Sequence, residues 1–259
     1  MKKLLPLLLL IVVSAPAFAA KRQFDIEVII FKREVNPQSV NESWPNNLPP
    51  IDMKGVGSFY NAAYLAKKGV TMLPPSAYKL DKQVKALQNH AGFQVLMHVA
   101  WRQGDQGRWS APVFKIQAGK DYSSQFDPDG TEKQKVVGQQ VLNGVTEHSV
   151  PKPLYELDGK LQIYVEHYLY ADTTLDLREP STKTTIISDP QIGLNSELDQ
   201  GQNSPEVQVG HLEQVKPPVK VETILKTYQM KQKRRMRSSN TYYLDNPLMG
   251  MIIQVRKVK

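Results

Sequence analysis

Four segments of the chain alternate apolar and polar residues with a period of two, which puts every second side chain on the same side of an extended strand. Phe24, Ile26, Val28 and Ile30 share one side of the first, and Phe93, Val95, Met97, Val99 and Trp101 share one side of the second. The longest runs from Leu161 to Leu177. Leu161, Ile163, Val165, His167 and Leu169 fall on one side of it, and Gln162, Tyr164, Glu166, Tyr168 and Tyr170 on the other. The last, Met249 to Val258, aligns Met249, Met251, Ile253 and Val255. Alternation this regular predicts an antiparallel sheet with one covered face.

Elsewhere the period lengthens. Leu80, Val84, Leu87 and Ala91 recur at helical spacing, with Gly92 where a helix C-terminus is expected. A second helix is expected around Phe59 to Lys68, ended by Gly69. Three stretches read as irregular: Asn36 to Pro50, Gly119 to Gly144 with its Asp127-Pro128-Asp129-Gly130 turn signal, and Pro180 to Pro218. The last is dominated by Ser, Thr, Asn, Gln and Pro and has little to bury, which predicts a flexible insertion at 180–218. The fold class is therefore α+β: a mainly antiparallel sheet with one or two helices packed on it and long irregular insertions, in one domain over 20–259. No internal repeat or coiled-coil heptad occurs.

The N-terminus follows another rule. Lys2 and Lys3 precede an apolar run from Leu4 to Val13, and Ser14-Ala15-Pro16-Ala17-Phe18-Ala19 ends in small residues. This is the order of a secretory signal peptide, with cleavage expected after Ala19. The run is shorter than the roughly 20 residues a bilayer span needs. No later stretch reads as a transmembrane helix, so a soluble mature chain is expected. There is no Cys, hence no disulfide, no thiolate chemistry and no lipidated Cys at the cleavage site. The precursor carries 33 Lys and Arg against 25 Asp and Glu. Loss of residues 1–19 removes only Lys2 and Lys3 from this balance and leaves a mature charge of +6. A basic surface favours anionic partners. Export argues against nucleic acid and leaves cell-wall carboxylates and membrane surfaces.

No catalytic constellation emerges. Nucleophile elbow, zinc-binding helix and phosphate-binding glycine loop are all missing from the sequence. His90, His98, His148, His167 and His211 lack ligand spacing, so neither a metal nor another cofactor is expected. Glu27 and Glu166 could form a glycosidase pair only if the fold brought them together across a sheet.

Two features carry candidate binding chemistry. The first is the basic run that continues an extended segment from Lys226. Gln229, Lys231, Lys233, Arg235 and Arg237 share one face of it, giving four cations at about 6–7 Å intervals. Such a ribbon suits an anionic ligand, or serves as an edge strand protected against aggregation. Tyr228, Met230, Gln232, Arg234 and Met236 share the other face, where an inward Arg234 would need a carboxylate partner. The second is Tyr164, Tyr168 and Tyr170, which offer flat faces to sugar rings or act as ordinary strand residues under a cover.

The C-terminal order Arg234-Arg235-Met236-Arg237-Ser238, Tyr243-Leu244-Asp245, Pro247-Leu248 and Gly250 resembles the CsiV family. So do Phe24 to Arg33, Leu96 to Gln103 with His98 and Trp101, and Leu157-Asp158-Gly159-Lys160 leading to Tyr168-Leu169-Tyr170. The family usually reads His-Tyr-Leu-Asp-His-Pro near its end, whereas this chain has Tyr242 and Asn246 in place of those histidines. The resemblance implies a periplasmic peptidoglycan-binding protein of Gram-negative bacteria, implicated in cell shape. It also implies a class A penicillin-binding protein and that synthase's lipoprotein activator as partners. Binding without turnover is the leading expectation, with Lys231, Lys233, Arg235, Arg237, Tyr164, Tyr168 and Tyr170 as candidate ligand residues. Arg234, Tyr242, Tyr243, Asp245, Asn246, Pro247 and Gly250 form a motif whose role is ligand binding or structure. A protein–protein adaptor is the alternative, and a peptidoglycan hydrolase a third.

Overall fold

The computed structural model describes residues 22–40, 44–45, 48–133, 152–186 and 219–258. The signal peptide, His148, His211 and residues 187–218 of the expected insertion lie outside them. The described residues fall into two compact units. One comprises the chain up to Lys120, Tyr155–Leu177 and the part from Tyr228 onward; the other draws on Asp121–Leu154 and Arg178–Thr227.

The first unit is built on two sheets. Strands β1 (Gln23–Arg33), β2 (Thr71–Met72), β3 (Phe93–Gly104), β8 (Thr241–Asp245) and β9 (Met249–Lys257) form one, in the order β2-β3-β1-β9-β8. Strands β4 (Val113–Asp121), β5 (Tyr155–Val165), β6 (Leu169–Ile186) and β7 (Val219–Met236) form the other, in that order. β6 and β7 each continue into the second unit. Helices α1 (Ala62–Lys68) and α2 (Asp81–Gln88) are the two α-helices among the described residues. The α+β class stands, with the sheet content divided between two sheets.

The main core lies between the sheets. Phe24, Ile26, Val28 and Ile30 of β1 and Met249, Met251, Ile253 and Val255 of β9 meet Leu161, Ile163, Leu175 and Leu177 of β5 and β6. A buried relay crosses this core: Trp101 Nε1 donates to Gln103 Oε1 (2.7 Å), and Gln103 Nε2 donates to the Ile163 carbonyl (2.9 Å). The strand faces expected for β1 and β9 are the observed ones. The expectation of a single covered face fails for β1, because Ile29 and Phe31 form a second cluster with Leu80, covered by Val84 and Leu87 of α2.

β3 departs from its sequence pattern for a local reason. Ile30 pairs with Met97, yet Phe31 pairs with Val95, so the register slips by one at Leu96. Such a bulge swaps the sides of the residues beyond it. Met97 and Val99 accordingly pack on the main core, while Phe93 and Val95 pack on the α2 side.

Three further boundaries differ. The segment Leu161–Leu177 is an antiparallel hairpin, with Glu166, His167 and Tyr168 in its turn and Tyr164 opposite Tyr170. α2 ends at Gln88 with Asn89 as its cap, the Asn89 N–H donating to the Lys85 carbonyl (2.9 Å); Gly92 belongs to the following turn, where its N–H donates to His90 Nδ1 (3.0 Å). Residues 180–186 extend β6 instead of opening a loop. α1 ends as expected, with Gly69 left-handed at φ 63° and its N–H bonded back into the last turn.

In the second unit, Tyr122, Phe126 and Leu225 form a small core. The Asp127–Gly130 turn forms there, closed by the Gly130 N–H on the Asp127 carbonyl (2.8 Å), and Asp129 accepts from the Thr131 N–H (2.9 Å).

Candidate functional site

The outer face of the β4–β7 sheet unites the two features that the sequence kept apart. β7 lies beside β6, so its cations come next to the tyrosines of the β5–β6 hairpin. The Lys233 ammonium stands 5.1 Å from the Tyr170 ring centre and 5.7 Å from that of Tyr164. The Arg235 guanidinium stands 4.6 Å from the centre of Tyr168. A cation held over an aromatic face is attracted by the negative ring quadrupole. Tyr164 and Tyr170 stack on each other, 5.3 Å apart and 21° from parallel.

This arrangement revises the expected division of labour. Tyr164 is fully buried and presents no face to solvent, whereas Tyr168 is 52% exposed. The tyrosines act first as a platform that orients cations. Lys231, Lys233, Arg235 and Arg237 are all exposed, as expected for their face. Arg234 is exposed too, although it shares a side with the buried Met230 and Met236. The inward, carboxylate-paired Arg234 of the sequence pattern is therefore not realised. Its position near the end of β7 lets the long side chain reach water.

The turn between β3 and β4 adds residues that the strand patterns could not single out. The Val165 N–H donates to the Gln106 carbonyl (2.9 Å), Gln162 Nε2 donates to the Arg108 carbonyl (2.7 Å), and Lys68 Nζ donates to the Ser110 carbonyl (2.9 Å). Pinned in this way, the turn sets the Arg108 guanidinium 5.9 Å from the Tyr164 ring centre and 3.6 Å from Asp172. It leaves Trp109 95% exposed. The available signal was compositional: an aromatic inside the polar turn Gly104–Ser110 has no strand periodicity to bury it.

The C-terminal motif makes a set of internal contacts. Arg33 Nη2 donates to Asp245 Oδ1 (2.6 Å) and to the Tyr243 hydroxyl, which itself donates to Asp245 Oδ1 (2.8 Å). Burial raises the Tyr243 hydroxyl above its usual pKa, with the Arg33 cation opposing that rise. The Tyr243 ring stacks on Phe31, 6.1 Å away and 7° from parallel. Gly250 lies under both rings, where an added Cβ would come within 2.5 Å of Phe31 and 2.8 Å of Tyr243. The Tyr242 hydroxyl accepts the Arg237 N–H (2.7 Å), and Asn246 Oδ1 accepts the Leu248 N–H (3.0 Å). Tyr and Asn thus tie local turns at the two positions where the family usually carries His. Pro247 sits between Asn246 and the buried Leu248.

Glu27 and Glu166 do not meet. Glu27 is fully buried on the α2 side, whereas Glu166 lies exposed in the hairpin turn. The Glu27 carboxylate accepts from the Lys79 and Leu80 N–H groups, from His98 Nε2 (3.0 Å) and from Arg256 Nη1 (2.7 Å). Burial alone would raise its pKa, but these donors outweigh it and hold the group at about 2. It caps the start of α2 and is spent on structure. Among the described residues no group of three or more His, Asp or Glu could hold a metal ion, and no helix is long and apolar enough to cross a membrane.

The family model for the CsiV peptidoglycan-binding proteins matches residues 3–258, nearly the whole chain. The chain belongs to the CsiV family. Peptidoglycan binding is thus the described property of the family, and it fits a cell-wall location. No curated protein and no solved structure gives a significant match.

Proposed function

We propose that this protein is exported to the periplasm, binds peptidoglycan without cleaving it, and supports cell-wall synthesis by a class A penicillin-binding protein. The observation that carries the binding surface is the set of cations on tyrosines, with Lys233 over Tyr164 and Tyr170 and Arg235 over Tyr168. Lys231 and Arg237 extend the same exposed row. Muropeptide stems are rich in carboxylates, and a cation whose position is already fixed loses less freedom on meeting one. The synthase and its lipoprotein activator enter through family resemblance. They are tested separately from the wall contact.

Sedimentation of the mature protein with purified sacculi is the direct test. Binding at low salt that weakens as salt rises is expected of a screened contact, and Arg235→Ala with Arg237→Ala should weaken it further. Protein that stays in the supernatant at every salt concentration overturns the reading. Incubated sacculi should release no soluble muropeptides; release would identify a hydrolase.

An adaptor reading draws on Tyr168 and Trp109, both exposed. It predicts that altering these two residues abolishes synthase stimulation and leaves sacculus sedimentation intact.

A further inference from the structure

Beside the tyrosine platform, the same sheet face opens into a cleft of about 430 Å³. A proline-containing wall with Pro49 and Pro50 bounds one part of it. Its charged lining is Lys54, Arg108, Lys160 and Lys231 with Asp52 and Asp172, four cations against two carboxylates. Two of the cations are already engaged. Lys160 Nζ donates to the Asp52 backbone carbonyl (2.5 Å), and Arg108 Nη2 stands 3.6 Å from Asp172 Oδ2. The ammonium groups of Lys54 and Lys231 have no partner among the described residues. The exposed Asp52 carboxylate accepts the Lys54 N–H on Oδ1 (3.0 Å), and Asp172, 28% exposed in its side chain, stands 3.6 Å from Arg108 and within the electrostatic reach of Lys233.

The cleft therefore presents two unengaged ammonium groups and, on the strands of its floor, the partly exposed Asp172 carboxylate, whose ion pair is the long one to Arg108, with positive charge in excess. An uncharged glycan gains little from such a lining, and a purely anionic ligand would meet Asp172. A ligand that carries carboxylates together with a free amine satisfies all three groups. We infer that the cleft takes the peptide stem of peptidoglycan, with stem carboxylates on Lys54 and Lys231 and a free stem ammonium on Asp172. This rests on the peptidoglycan reading above and adds a chemical discrimination to it. Cross-linking turns a stem amine into an uncharged amide, so Asp172 favours stems that are not yet cross-linked.

Three soluble probes decide this by NMR titration of the isotope-labelled mature protein, run alongside sacculus sedimentation. They are a synthetic stem peptide with its side-chain amine free, the same peptide acetylated on that amine, and glycan strands stripped of peptide. The free-amine peptide should shift the amides around Lys54 and Lys231 and bind more tightly than the acetylated one. Lys231→Glu should weaken it by about tenfold or more, equivalent to one charge-assisted contact. Lys54→Glu, in an exposed turn where the fold is not at stake, should act in the same direction. Asp172→Asn should make the two peptides equivalent. If sacculi sediment while the stem peptide fails to shift the cleft, or while all three variants leave its affinity unchanged, the inference falls and wall binding stands. Failure of both sedimentation and peptide binding overturns both. Peptide binding at the cleft without sedimentation supports the stem site and removes the polymer-binding reading.

Discussion

Arg235 holds its guanidinium 4.6 Å from the centre of the Tyr168 ring, so the most exposed tyrosine of the platform fixes a cation. The pair sits where the β5–β6 turn meets the end of β7, a place at which a free Arg side chain would otherwise sample many rotamers. Rotamer freedom lost in advance is not lost again on binding.

Tyr168→Ala should therefore weaken sacculus binding by about two- to fivefold, the range of an exposed cation–π contact. Tyr168→Phe keeps the ring and should retain most of the affinity. In a double-mutant cycle, Tyr168→Ala should have little further effect once Arg235 is Ala. Independent, additive losses in the sedimentation assay would show that the two residues act separately.

Glu27→Gln tests the buried carboxylate. Its removal leaves Arg256 and His98 facing a neutral amide inside the protein, a change expected to cost about 3 kcal/mol near neutral pH. The pH dependence has a defined sign. The folded-state value lies at about 2 against an ordinary 4.5, so the unfolded chain takes up the proton first. Stabilisation from Glu27 is complete above the ordinary value and disappears as pH falls from about 4.5 toward 2. Thermal melts should show a wide gap between wild type and variant at pH 7 that narrows progressively toward pH 2.

The same residue shows how far the sequence could be read. Period-two alternation correctly located β1 and β9, because the two pair with each other in one unbroken register from Phe24 to Lys32. It failed at Phe93 and Val95, where one bulged residue exchanges sides, and bulges leave no mark on a binary pattern. It also joined β5 and β6 into one strand, since Glu166-His167-Tyr168 preserves the alternation through a turn without Gly or Pro. The cation row and the tyrosines were each visible as candidates. Their union was not, because it depends on β7 docking beside β6 across residues 187–218. Glu27 read only as a possible partner of Glu166, because nothing local shows that the residues leading into α2 supply its donors.

Gly250→Ala should destabilise the protein by about 1–3 kcal/mol, the usual range for overpacking. The new methyl would press on Phe31 and Tyr243 at less than van der Waals separation. Because both rings are held, Tyr243 by Arg33 and Asp245 and Phe31 by Phe93 at 5.4 Å, neither can move freely. The melting temperature should fall, while sacculus binding of the protein that remains folded should be unchanged. Loss of binding in fully folded variant would place this corner in the contact surface.

Trp109 offers an optical test of where the ligand sits. The chain has three tryptophans. Trp101 is fully buried, and Trp44 packs edge-on against Tyr228 at 5.2 Å, so neither is placed to lose water when a ligand arrives. Trp109, 95% exposed beside Arg108, is the one whose surroundings a ligand on this face would change. Soluble muropeptides should shift tryptophan emission to shorter wavelength in the wild type, and Trp109→Phe should remove the shift. Trp109→Ala should leave the melting temperature nearly unchanged, since surface substitutions of this kind stay within about 0.5 kcal/mol. A shift that survives Trp109→Phe would move the ligand away from the β3–β4 turn and toward a surface that contains neither Arg108 nor Lys231.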